Sequence, residues 1–108
     1  MKVLATVTVS VSLLLAAPKL AAADSTASVR AAICQVFGPY CSQALRVAYC
    51  ESRYQTWARN GQYQGLFQMG SYARARYGHG ADAWTQARAA YRYFRDAGYS
   101  WSPWACKP

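Results

Sequence analysis

The chain has 108 residues, is 54% hydrophobic and 15% aromatic, and carries 12 Lys and Arg against 4 Asp and Glu. That length allows one domain and excludes two. The net charge of +8 points to anionic partners, with simple solubility as the competing account.

Met1-Lys2 is a short basic opening, Val3 to Ala17 is apolar or small apart from Thr and Ser, and Pro18 breaks the run. Ala21-Ala22-Ala23 then supplies the small residues that a signal peptidase accepts. This is the layout of a secretory signal peptide over residues 1–23, cleaved after Ala23. A membrane anchor competes, but about 15 apolar residues fall short of the ~20 that span a bilayer. The remaining chain keeps ten basic residues against Asp24, Glu51, Asp82 and Asp96, a net +6 once Lys2 and Lys19 are gone. For an exported protein, that balance fits cell-wall polymer or a membrane surface better than nucleic acid.

Residues 24–28 are small and polar and read as a frayed end. Ser28 is a candidate cap for a first helix through Phe37, with Val29, Ile33, Val36 and Phe37 as its apolar stripe and Gly38-Pro39 as its stop. A second helix is expected from about Ser42 to Arg53, its apolar side carrying Ala44, Leu45, Val47, Ala48 and Tyr49. Asn60-Gly61 is a tight-turn pair, and Gln62 to Gln68 alternates as a short strand or extended loop would. Ser71 is a candidate cap for a short helix ending at Gly78. Asp82 caps the longest helix, Ala83 to Ala97, with Ala83, Ala87, Ala90, Tyr91 and Phe94 on one face and Gly98 at its stop. The aromatic tail Tyr99 to Trp104 follows. The expected fold class is therefore α+β and mostly helical, with one small β-hairpin or loop element. A unit of residues 24–40 precedes a domain of residues 41–108, and no internal repeat is present.

Cys34, Cys41, Cys50 and Cys106 are an even set in a short exported chain, which implies disulfides. No CxxC occurs and His79 is the sole histidine, so zinc is a poor alternative. Four cysteines allow three connectivities. Spacing favours Cys34–Cys41 across the Gly38-Pro39 turn, leaving Cys50–Cys106 to staple the C-terminus to the middle of the chain. Closing some 55 residues contributes on the order of 3–4 kcal/mol, which a domain this small needs.

Glu51 is the chain's one glutamate. It follows Val47 by four residues and Ala48 by three, on the apolar side of its helix. Partial burial disfavours the charged form of a carboxylate, the condition under which a general acid keeps its proton near neutral pH. A solvated helix-end glutamate beside Arg53 explains the same residue equally well.

Glu51-Ser52 at a helix end, followed by Gly65-Leu66-Phe67-Gln68-Met69, resembles the signature of the lysozyme-like lytic transglycosylase superfamily. Cys50 directly before Glu51, with Trp104-Ala105-Cys106 near the C-terminus, resembles the resuscitation-promoting factors, small secreted members from actinobacteria. The resemblance spans about Cys41 to Cys106. It implies a disulfide-stapled lysozyme-like fold, the pairing Cys50–Cys106, and peptidoglycan as substrate, cut between N-acetylmuramic acid and N-acetylglucosamine. Glu51 then matches the catalytic acid and Ser52 the serine that orients the carboxyl or a substrate group. Gln68 matches a cleft-lining glutamine, and Gly65 is expected to let backbone approach the sugar.

Most glycosidases use two carboxylates, about 5–5.5 Å apart for retention or about 6.5–9.5 Å for inversion. Asp24, Asp82 and Asp96 each have a better structural explanation, so a single-carboxylate mechanism is expected, with Glu51 as acid and then base. Attack by the muramic 6-hydroxyl would give a 1,6-anhydro product; attack by water would make the protein a muramidase. Tyr63, Phe67, Trp101 and Trp104 are candidate sugar-stacking rings, and Asn60, Gln62, Gln64 and Gln68 candidate amide contacts. Core packing is the competing role for every ring. A glycan-binding module with little turnover and a cationic membrane-active peptide are rival readings; the second fits poorly, because the arginines do not segregate as such helices require. No cofactor, metal or oligomer is expected, and the location is extracellular or in the cell wall.

Overall fold

The computed structural model describes residues 24–108; the expected leader over residues 1–23 and its cleavage after Ala23 lie outside the described residues. Helix α1 spans Thr26–Phe37, a 3-10 turn covers Gly38–Tyr40, and α2 spans Cys41–Ser52. Strands β1 (Arg59–Asn60) and β2 (Tyr63–Gln64) form an antiparallel hairpin, followed by α3 (Ser71–Tyr77) and α4 (Ala83–Asp96). The domain is thus α+β and mostly helical, with disulfides Cys34–Cys41 and Cys50–Cys106. Among the described residues no helix is long and apolar enough to cross a membrane.

Helix α1 packs against both α2 and α4, and α3 against α4. Val29, Ile33 and Phe37 recur every fourth residue along α1 and are fully buried. Opposite them α4 presents Ala83, Ala87, Ala90 and Phe94; the alanines let the helices approach, and Phe94 fills the far end. The Phe37 ring lies 5.5 Å from Phe67, 5.7 Å from Phe94 and 5.6 Å from Trp101. Three segments remote in sequence therefore converge on one side chain, each buried ring contributing roughly 1.5–3 kcal/mol. The boundary expected at residue 40 falls in the 3-10 turn, and α1 shares one core with the rest of the domain.

Several local expectations are corrected. Ser25, not Ser28, caps α1, its hydroxyl accepting the Ser28 N–H at 3.1 Å. Residues 24–28 are held rather than frayed, because the Asp24 carboxylate accepts the Ala83 N–H at the start of α4 (2.8 Å). Gly70 takes the cap position of α3, and the Ser71 N–H and hydroxyl both donate to the Gln62 side-chain oxygen at 3.1 Å. Asn60 belongs to β1 and pairs with Tyr63, so the hairpin turns at Gly61-Gln62, one residue later than the Asn-Gly pair suggests.

The segment expected to continue as a strand through Gln68 instead reverses after Gln64. Gly65 has φ +83°, and Gln64 bridges back to Met69. That reversal buries the consecutive residues Leu66 and Phe67, which a strand would send to opposite faces.

Gln86, a polar residue on the buried face of α4, holds the reversal. Its oxygen accepts the Leu66 N–H at 2.8 Å, and its amide donates to the carbonyls of Thr56 and Gly80, both at 3.0 Å. Gln86→Leu keeps the volume but orphans a buried N–H, at about 1–3 kcal/mol for each group left unpaired. A loss of about 3 kcal/mol is expected, read as a fall of more than about 10 °C in the thermal midpoint; a midpoint within 2 °C or so of the wild type would refute this role.

Candidate functional site

The end of α2 is where the chain aims its sole glutamate. Arg53 (φ +55°) and Tyr54 (φ +65°) follow Ser52 in left-handed conformations that stop the helix abruptly, each costing on the order of 1 kcal/mol. The Tyr54 hydroxyl offsets this strain by donating to the Leu45 carbonyl (3.1 Å) and accepting from Arg30 (3.1 Å). Glu51 therefore sits half-buried in a last turn that is clamped on its far side.

Across from it lies the C-terminal tail. The Cys50–Cys106 bridge links positions 56 residues apart in the chain, and the Cys106 N–H donates to Glu51 Oε2 at 3.1 Å. Among the described residues Glu51 Oε1 accepts no hydrogen bond. The Trp104 indole N–H donates to the Phe67 carbonyl (2.9 Å), tying the tail to the Gly65 reversal. Between these parts opens a cleft of about 510 Å³. Glu51 forms one wall, Asn60, Gln62 and Tyr63 of the hairpin another, and Gln68, Tyr72, Tyr93 and Trp104 complete it.

The cleft is amide- and ring-lined around a single carboxylate. The Gln68 amide donates to the carbonyls of Ala58 (3.2 Å) and Gly65 (3.1 Å), which fixes its side chain. Gln68 also holds φ +46°, a left-handed conformation at a cleft-lining position. The aspartates are engaged elsewhere. Asp24 bonds the start of α4. Asp82 caps α4, and the Thr85 backbone N–H holds its carboxyl below the ordinary carboxylate value. Asp96 accepts from the Tyr77 hydroxyl at 2.9 Å, which lowers it likewise, and pairs with Arg95. Among the described residues no three His, Cys, Asp or Glu side chains gather as metal ligands would.

Of the residues singled out from sequence, Glu51, Asn60, Gln62, Tyr63, Gln68 and Trp104 share this cleft; Ser52, Gly65 and Trp101 do not line it. Ser52 is buried, its hydroxyl donating to the Ala48 carbonyl of its own helix at 3.0 Å rather than bonding the Glu51 carboxyl. Gly65 is needed for a different neighbour than a sugar: a Cβ there would stand 2.7 Å from the Gln86 oxygen and 2.8 Å from the His79 ring. Trp101 is only 7% exposed, with its indole N–H on Gln43 (2.8 Å) and its faces against Phe37 and Phe94. Phe67 is likewise core. Gln64 faces Arg59 across the hairpin.

Sequence reasoning missed Tyr72 and Tyr93. Tyr72 is 77% exposed at the cleft edge, and exposure of one ring on a short helix leaves no periodic signal. Tyr93 follows Ala90 by three and Ala89 by four, which marks it as facing the body of the protein.

His79 packs behind the same reversal, its Nε2 buried without a hydrogen-bond partner among the described residues. Burial, aided by the nearby Arg74 charge, pushes the imidazole below its ordinary value of 6.5. The unfolded chain then binds the extra proton first, so His79 weakens folding as pH falls below 6.5 toward the lowered folded value. The thermal midpoint is expected to drop between pH 7 and pH 5, and His79→Asn to flatten that slope; equal slopes in both proteins would contradict the assignment.

No family model, curated protein or solved structure matches this chain.

Proposed function

We propose that the protein is an exported peptidoglycan-cleaving enzyme, a lytic transglycosylase of lysozyme-like type that cuts between N-acetylmuramic acid and N-acetylglucosamine. The observation that carries this reading is the cleft itself, in which one carboxylate, Glu51, faces a wall of amides and aromatic rings. Amides match N-acetyl groups and hydroxyls, and exposed rings such as Tyr63 and Tyr72 match sugar faces. The resemblance of Cys50-Glu51-Ser52 and Gly65-Leu66-Phe67-Gln68 to that superfamily supports the same assignment.

In this mechanism the Glu51 carboxyl gives its proton to the glycosidic oxygen as the bond from muramic C1 breaks, and the N-acetylglucosamine 4-hydroxyl leaves. The C1 cation is then attacked by the muramic 6-hydroxyl, whose proton passes to the Glu51 carboxylate. The enzyme returns to its starting state and the product is a 1,6-anhydro ring, with no water consumed. One group serves both steps, consistent with the engagement of Asp24, Asp82 and Asp96 outside the cleft.

Digestion of isolated peptidoglycan, with released muropeptides identified by mass, tests the reading. Anhydro ends are the expected product. Hydrated reducing ends would make the protein a muramidase, and binding without release would leave only a glycan-binding module.

A further inference from the structure

The face of α4 turned away from the cleft carries a second, differently charged groove. Trp84, Arg88, Tyr91 and Arg95 recur at i, i+4, i+7 and i+11 as one stripe, while Tyr93 of the Glu51 cleft lies about half a turn away. With Arg92 and with Val36 of α1, these residues enclose a groove of about 350 Å³.

Its charge is largely uncompensated. Arg88 has neither a hydrogen-bond nor an ion-pair partner among the described residues. Arg92 reaches only the Tyr77 carbonyl, at 3.4 Å. Arg95 shares Asp96 at 3.2 Å, an exposed pair of little energetic weight. Among the described residues no carboxylate lines the groove. Three guanidiniums are thus carried over about 10 Å of helix, beside a Trp84 ring that is 43% exposed.

We propose that this groove binds a linear phosphodiester polymer, the charged partner of a polyol-phosphate chain lying along α4. Guanidinium forks match phosphate oxygens two at a time, and the Trp84 and Tyr91 rings suit the uncharged units between phosphates. The groove lacks the continuous apolar face with which a helix enters a bilayer, which favours a polymer over a membrane surface. The groove shares no residue with the Glu51 cleft, so it docks the protein on an anionic matrix while leaving that cleft open.

Protein purified after expression of the full chain is titrated calorimetrically with poly(glycerol phosphate) at several salt concentrations. Arg88→Gln/Arg92→Gln/Arg95→Gln is expected to bind at least about tenfold more weakly, with a shallower dependence of affinity on salt. Arg88→Gln alone removes a side chain that supports no other group, and an approximately threefold loss is expected there even if the triple variant folds poorly. Glu51→Gln is expected to bind as the wild type does, which separates this groove from the fate of the cleft. Unchanged affinity in the triple variant and in Arg88→Gln would overturn the proposal. An equal loss in Arg30→Gln/Arg46→Gln/Arg53→Gln would reduce it to net charge and overturn it too. Arginine-dependent binding to phosphatidylglycerol vesicles but not to the polymer would assign the face to a membrane instead.

Discussion

Glu51→Gln is expected to lower muropeptide release from isolated peptidoglycan by about 10³-fold or more while leaving the fold intact. General acid catalysis alone is worth about 10²–10⁴ in rate, and in the proposed mechanism one carboxyl serves as both acid and base. A 10³-fold loss corresponds to about 4 kcal/mol of transition-state stabilisation. The amide keeps an oxygen in place of Oε2, so it can still accept the Cys106 N–H that bridges α2 and the tail. The thermal midpoint should therefore move by only a few degrees. The enzyme reading does not survive if the variant releases muropeptides at near the wild-type rate. A large fall in midpoint would instead mean that the carboxylate holds the tail and that lost activity reports lost structure.

Cys50→Ser/Cys106→Ser is expected to have the largest effect on stability, and to reach the site as well. The bridge closes a loop of 56 residues, and the chain-entropy relation assigns such a loop on the order of 4 kcal/mol. Cys34→Ser/Cys41→Ser opens a separation of only 7, worth about 2 kcal/mol on the same relation. The two bridges also differ in what they hold. Cys34–Cys41 joins α1 to α2 across a turn that is already short. Cys50–Cys106 fixes the segment that supplies Trp104 and the N–H on Glu51. Denaturant unfolding of both pairs, with peptidoglycan turnover below the transition, separates these roles. Loss of turnover in the Cys50/Cys106 pair alone is expected. Equal midpoints for the two pairs would refute the ordering.

The helices were legible because their signals are local. Val29, Ile33 and Phe37 mark α1 by period, Asp82 marks the start of α4 by its side-chain cap, and Gly78 ends α3 with the positive φ a glycine tolerates. Where the cap position slipped on α3, and where Asp24 added an unforeseen bond at the start of α4, the partner came from far away. The same distance effect divided the site. Glu51, Asn60, Tyr63 and Gln68 were visible from residue type and spacing, but Ser52 faces its own helix and Trp101 is taken up by the core.

Composition and order by themselves determined that Glu51 is the only glutamate, that it stands near a helix end beside a cysteine, and that any second carboxylate must be one of three aspartates. Tertiary structure alone decided what surrounds it: a cleft walled by the hairpin, α3, α4 and the tail, with the aspartates bonded elsewhere. The reason is physical. Helical period and capping act over a few residues, whereas the Gly65 reversal depends on Gln86, and the wall opposite Glu51 depends on a bridge and an indole N–H reaching 56 and 37 residues along the chain.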